Sequence, residues 1–222
     1  MDQFMENFLG YERFGPPFDS RKVPIEKINK FKDHLPDKLL EYWQTYGWCG
    51  YAKGLFWTVD PDEWEDELED WIGNTLFMER DAYYVIGRTA FGELILWGEK
   101  TGQSLKVQTA WGMIFPSFDP EAFARRGPDK ALQLFFSSSS RDGFDQNDDK
   151  NKPLFDRALK KLGVLDHDTM YGFVPALALS GTPKLENLQK LDVHVHLNIL
   201  SQVTERQIMR DIAADARNAG LM

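Results

Sequence analysis

Cysteine and histidine are scarce in this chain, and each scarcity excludes a class of chemistry. A single cysteine, Cys49, allows no intrachain disulfide, which suits a reducing compartment. It lies between Trp48 and Gly50, an aromatic setting that favours a buried, inert thiol over a nucleophile. Four histidines, His34, His167, His194 and His196, leave few ways to build a histidine-based metal site. Gly-x-Ser-x-Gly, Gly-x-Gly-x-x-Gly and the phosphate-binding Gly-x-x-x-x-Gly-Lys-Ser/Thr are all missing, so an esterase elbow, a dinucleotide fold and a P-loop have no foothold. No run approaches the roughly 18 consecutive apolar residues of a membrane span. The first 25 residues carry Asp2, Glu6, Glu12 and Asp19 rather than a leader-like apolar stretch, so a cytoplasmic location is expected. A basic excess is also lacking: 35 acidic against 26 basic residues give a net charge of −9, which disfavours binding to DNA or anionic lipid.

What the chain does have is enough apolar material, 42% with 14% aromatic, to build a packed core in 222 residues. Its acidity is local. Residues 61–120 hold 12 acids and 4 bases, whereas 1–60 and 121–222 are close to balanced. Asp60 to Asp70 contains eight carboxylates and no lysine or arginine; without it 27 acids face 26 bases. Asp60 as cap, Pro61 at the first helical position and Asp62-Glu63 in the first turn predict a helix start. Trp64, Leu68, Trp71 and Ile72 recur at helical spacing and are expected to face the core, leaving Glu65, Asp66, Glu67, Glu69 and Asp70 to solvent. The run has neither the alternating oxygen ligands nor the turn glycine of a calcium loop. Two readings stay open, a solvated helix face and a docking surface for a basic partner; unrelieved repulsion between neighbouring acids, a few tenths of a kcal/mol per pair, leans toward docking.

The remaining pattern predicts an α+β fold, with helices packed on an antiparallel meander sheet and a smaller α+β C-terminal segment behind it. Helices are expected over Met1–Leu9 and Ile25–Tyr46, the latter broken at Pro36 and stopped by Gly47, with Gly50 and Gly54 loosening the turn before a short strand at 54–59. Short strands at 83–88, 91–98, 104–108 and 111–115 are joined by turns too short for parallel crossovers. Pro116 and Asp119-Pro120 end the sheet, placing a boundary between residues 1–117 and 118–222. Beyond it come a helix opening at Glu121 and a Gly-, Asn- and Asp-rich stretch, Asp142 to Lys152, expected to be mobile. A short helix over Phe155–Leu162 follows, then an apolar run at 171–181, an alternating strand at 191–200, and a terminal helix from Thr204 to Ala219 with Thr204 as cap. On such a strand His194 and His196 would share one face and could chelate zinc, although alternation is equally what a half-solvated strand shows.

Several of these stretches resemble a known family. Phe91-Gly92-Glu93-Leu94-Ile95-Leu96-Trp97, preceded by Tyr42-Trp43 and by Thr58 to Trp64, resembles the bacterial GAD-like domain. Asp166 to Gly181, with Tyr171-Gly172-Phe173-Val174-Pro175-Ala176-Leu177-Ala178-Leu179, and Asn187 to Leu200 are similar to the C-terminal region that accompanies it. The resemblance implies a cytoplasmic immunity protein of the type VI secretion system. Such a protein has no enzymatic activity or cofactor, and neutralises a cognate DNase toxin by covering or distorting its site. A nuclease presents cations to phosphate, so Glu63, Glu65, Asp66, Glu67, Glu69 and Asp70 are the expected toxin contacts, with the loop acids Asp142, Asp145 and Asp148 as an additional surface. No direct contact with nucleic acid or membrane is expected. A metal-dependent hydrolase using His194 and His196, or an adaptor or chaperone for a secreted effector, are the alternatives from other classes.

Overall fold

In the computed structural model, which describes residues 2–211 together with Ala214, Asp215 and Arg217, the chain builds the expected α+β fold around a central sheet. The order is α1 (Gln3–Glu6) running into a π-turn, β1 (Phe18–Arg21), α2 (Ile25–Phe31), α3 (Asp37–Tyr46), β2 (Trp48–Tyr51), β3 (Phe56–Thr58), a 3-10 turn (Pro61–Trp64) leading into α4 (Glu65–Ile72), and α5 (Leu76–Arg80). Then come β4 (Tyr83–Thr89), β5 (Leu94–Gly98), β6 (Gly102–Gln108), β7 (Met113–Pro116), α6 (Pro120–Arg126), α7 (Pro128–Ser138), α8 (Arg141–Phe144) and α9 (Phe155–Leu162). The chain continues with β8 (Thr169–Phe173), the 3-10 turn Leu177–Leu179, β9 (Leu188–Asp192), α10 (Val193–Val203) and β10 (Gln207–Ile208).

Eight strands form one sheet in the order β1-β2-β3-β4-β5-β6-β7-β10, and β8 and β9 pair separately as an antiparallel ribbon. From β1 to β7 every neighbour is antiparallel, joined by short turns between β2 and β3 and from β4 to β7, and by helical connections between β1 and β2 and between β3 and β4. The last pairing is not: β10 lies parallel to β7, so the chain's C-terminal part closes the sheet edge made by its first half. Successive strand residues point to opposite faces, and β3 shows what covers each. Phe56 meets Phe8 of the π-turn after α1, Phe136 of α7 and Phe144 of α8, whereas Trp57 meets Phe18 and His167. Residues from both halves of the chain, Trp43 through Leu200, belong to one buried cluster.

The join is made by main chain and small residues. Gly92, in the β4–β5 turn, has φ +76°, and a Cβ there would come within 2.7 Å of Met170 Cε and 3.0 Å of Leu197 Cδ2. Gly172 in β8 leaves room for α10: its Cβ would lie 2.5 Å from His196 Nε2 and 2.8 Å from Leu191 Cδ1. Tyr171 N also donates to Ala90 O at 2.8 Å.

Four expectations need correction. Residues 191–200 are not one strand: β9 stops at Asp192, whose carboxylate caps α10 by accepting from Val195 N. The buried positions Val193, His196, Leu197 and Leu200 follow i, i+3, i+4, i+7, while Val195 and Ile199 face out. Residues 142–152 are held rather than mobile. Asp145 Oδ1 accepts from the backbone of Gln146, Leu154 and Phe155, Asp148 Oδ1 from Lys150 and Lys152, and Phe144 stacks on Phe56. Thr204 follows the end of α10 instead of capping a helix, and residues 205–211 run extended through β10; much of 212–219 lies outside the described residues. Finally, the glycine-rich turn at 47–54 contains β2, whose four residues are all buried, so that no alternation marks it as a strand.

Candidate functional site

The acidic run sits where the two halves of the chain meet. Asp60 accepts from Asp62 N and Pro61 opens the 3-10 turn, which places Trp64 in the core, and α4 then buries Trp71 and Ile72 there and leaves Leu68 half-buried. That anchoring follows the apolar spacing. The carboxylates do not all face solvent, however, because residues far away in sequence take up most of them.

The leading three meet cations from β1 and α2. Lys27 Nζ lies 2.8 Å from Asp60 and 2.6 Å from Asp62, Lys30 Nζ lies 2.6 Å from Asp62, and Arg21 forms a bidentate pair with Glu63 at 3.0 and 2.7 Å. Burial pushes Asp62 upward, but the hydrogen bonds from Lys27 and Lys30 outweigh it and hold the carboxyl below its ordinary range. Glu67 is buried, contrary to the solvent-facing position its spacing implies, and accepts from His194 Nδ1 at 2.7 Å. That bond holds the His194 imidazole above its ordinary range, against the opposing effect of burial. Asp70 accepts from Asn198 Nδ2 and Ser201 Oγ at 3.1 Å each, and its carbonyl receives Arg206. Glu65, Asp66 and Glu69 are exposed and have no polar partner among the described residues. Of the loop acids, Asp145 and Asp148 are spent on backbone amides, Asp148 also meets Arg157 at 2.8 Å, and Asp142 is exposed.

The histidines do not converge. In α10, His194 points to Glu67 and Trp64, while His196 is buried against β8, and burial holds its imidazole low. Two residues apart on a helix differ by about 200° in direction, which removes the shared face that a strand would have given them. Among the described residues no group of three or more His, Cys, Asp or Glu is placed to hold a metal ion. Among the same residues no helix is long and apolar enough to cross a membrane.

Sequence reasoning missed a further group, Arg88 of β4. It is fully buried, donates from Nη2 to the carbonyls of Asp166 (2.8 Å) and His167 (2.9 Å), and lies 5.0 Å from the Trp57 ring and 6.0 Å from that of Trp64. Burial pulls its guanidinium down to about 9, so it stays charged at neutral pH. It ties the loop before β8 to the back of the acidic helix, and an Arg in a strand gives no sign of such a role.

Comparison with known proteins bears on how these parts belong together. Residues 3–111 match the family model of the GAD-like domain, and residues 129–204 match that of the type VI secretion immunity protein Tdi1, C-terminal. The chain belongs to the GAD-like immunity proteins of the type VI secretion system. Among solved structures it is similar to Atu4351 from Agrobacterium tumefaciens, at 21% identity and TM-score 0.79, over 94% of this chain and 91% of that one. At that identity the likeness speaks for the fold. No curated protein sequence matches. In this GAD-like immunity protein the acidic helix α4 falls in the GAD-like match and α10 in the Tdi1-type match, so the Glu67–His194 and Asp70–Asn198 contacts join the two regions.

Proposed function

We propose that this immunity protein neutralises a nuclease effector in the cytoplasm by binding it, without chemistry of its own, and covers the cationic surface with which the effector meets DNA. The observation that carries the reading is the ridge of Glu65, Asp66 and Glu69, exposed and without polar partners among the described residues, on a helix whose other acids, Glu67 and Asp70, are engaged by α10. A nuclease must display lysines and arginines to phosphate, and fixed carboxylates compete for them while speeding encounter. Glu63, Glu67 and Asp70 hold the ridge in place, and Asp142 supplies a further contact beside the loop that Asp145 and Asp148 brace.

The experiment is co-expression with the toxin domains of type VI nuclease effectors from the same genome, followed by growth and by DNA cleavage with purified proteins. Wild-type protein is expected to restore growth and to abolish cleavage at stoichiometric amounts. Binding without loss of cleavage would identify an adaptor instead, and absence of binding would overturn the reading altogether.

A further inference from the structure

The ribbon of β8 and β9 is covered on both faces, by α10 where Gly172 meets His196 and by α9 where Tyr171 meets Phe155, and its register fixes where the main chain of β9 points. Val174 N donates to Asn187 O and Val193 N to Asp168 O. Antiparallel pairs alternate, so between these two the hydrogen-bonded pairs are Met170–Leu191 and Gly172–Gln189. Leu188, Lys190 and Asp192 therefore aim their amides and carbonyls away from β8, just as Tyr171, opposite Lys190, aims its N–H outward to Ala90 O. Two of those six groups are used: Leu188 N donates to Leu185 O, and Asp192 O serves the first turn of α10. Leu188 O, Lys190 N, Lys190 O and Asp192 N have no partner among the described residues.

Proteins normally blunt such an edge. β1 has a register shift and β10 only two residues, whereas β9 runs for five with unbroken register and no proline. Its lysine does not guard it, because Lys190 Nζ is drawn back onto Val164 O at 2.8 Å and Asp166 at 3.3 Å. Gln189, Lys190 and Asp192 are exposed. A row of outward amides and carbonyls fits an extended segment, and charge decides whose. Exposed Asp166, Asp168, Glu186 and Asp192 lie on or next to β9 and outnumber Lys161 and Lys190. A second copy paired about a two-fold axis would set Lys190 against Lys190 and join chains that each carry −9. A basic segment meets the complementary sign.

We propose that the open edge of β9 accepts an extended, basic segment of the effector as a third strand of the ribbon, bonded through Leu188 O, Lys190 N and O, and Asp192 N. The proposal rests on the reading of a cationic effector given above and adds a main-chain contact to it. Purified toxin domains of type VI nuclease effectors from the same genome are the probes, with amide exchange by NMR and binding kinetics as readouts. In the free protein the Gln189 and Leu191 amides are expected to exchange slowly and those of Lys190 and Asp192 quickly; in the complex the latter two slow by about tenfold or more. Lys190→Pro removes an amide that faces away from β8, so the ribbon keeps its ladder, and binding is expected to weaken by about tenfold. Lys190→Ala, which keeps the amide, is expected to bind within about twofold of wild type. Should the proline variant fold poorly, exchange in the wild-type complex decides. Wild-type binding that leaves the Lys190 and Asp192 amides fast, or an equal loss in both variants, overturns this proposal and leaves the proposed function standing; no binding to any of the toxin domains overturns both. A free dimer by light scattering in which these two amides are already slow assigns the edge to a second copy and likewise overturns it.

Discussion

Replacing Glu67 by Gln tests the contact that joins the acidic helix to the C-terminal region. The buried carboxylate accepts from His194 Nδ1 at 2.7 Å, and its second oxygen is buried without a partner. Glutamine keeps the shape and an acceptor for a neutral imidazole N–H but removes the charge. A hydrogen bond to a charged group contributes about 1.5–3 kcal/mol and a neutral one about 0.5–1.5. The His194 side chain is 38% exposed, so solvent screening brings the difference to its low end, about 1 kcal/mol. Because the native imidazole titrates above its unfolded value, the folded state holds the proton more tightly. The added stability is therefore fully present below the unfolded pKa, about 6.5, and is lost as pH rises through the higher native value. His167 and His196, which burial holds low, act with the opposite sign, but they are common to both proteins and cancel in the difference. Glu67→Gln is thus expected to melt about 2–4 °C below wild type near pH 6, with the gap narrowing toward pH 9. Histidine resonances followed by NMR should show the His194 pKa falling in the variant. An equal gap at both pH values, or an unmoved His194 titration, would refute the charged contact.

Arg88→Met keeps most of the volume between Trp57 and Trp64 but leaves the Asp166 and His167 carbonyls without their donor. Relief from burying a guanidinium offsets part of that loss, so about 2 kcal/mol of destabilisation in urea is expected, with faster proteolysis within residues 163–168. Gly172→Ala places a methyl 2.5 Å from His196 Nε2, and overpacking of this kind costs about 1–3 kcal/mol. His196→Ser added to it should recover stability, a non-additivity that thermal melts of the single and double variants will reveal if the clash is the cause.

The meander was legible because glycine turns separate its strands at lengths that allow little besides antiparallel pairing. The acidic helix was legible from Asp60, Pro61 and the Trp64/Trp71/Ile72 spacing. Where two periods coexist, the residues alone mislead. Val193, Val195, Leu197 and Ile199 alternate, yet Val193, His196, Leu197 and Leu200 also fit a helix, and the Asp192 cap together with packing on Gly172 favours the second. Short strands such as β1 and β2 lack enough residues to show a period, and β2 is buried on both faces. The partners of the carboxylates were hidden for another reason. Arg21, Lys27, Lys30 and His194 lie 32 or more residues from the acids they meet, and no local pattern encodes such pairings.

Those pairings change what the acidic run can do. Eight adjacent carboxylates would repel one another and steer a cationic partner from a distance, but the field of a paired carboxylate is largely cancelled beyond the Debye length of about 8 Å at physiological salt. What projects outward is the ridge Glu65, Asp66 and Glu69, fixed on one side by the Lys27 and Arg21 contacts and on the other by His194, Asn198 and Ser201. A ridge held in this way loses little freedom on binding, so its three charges act at short range as a rim.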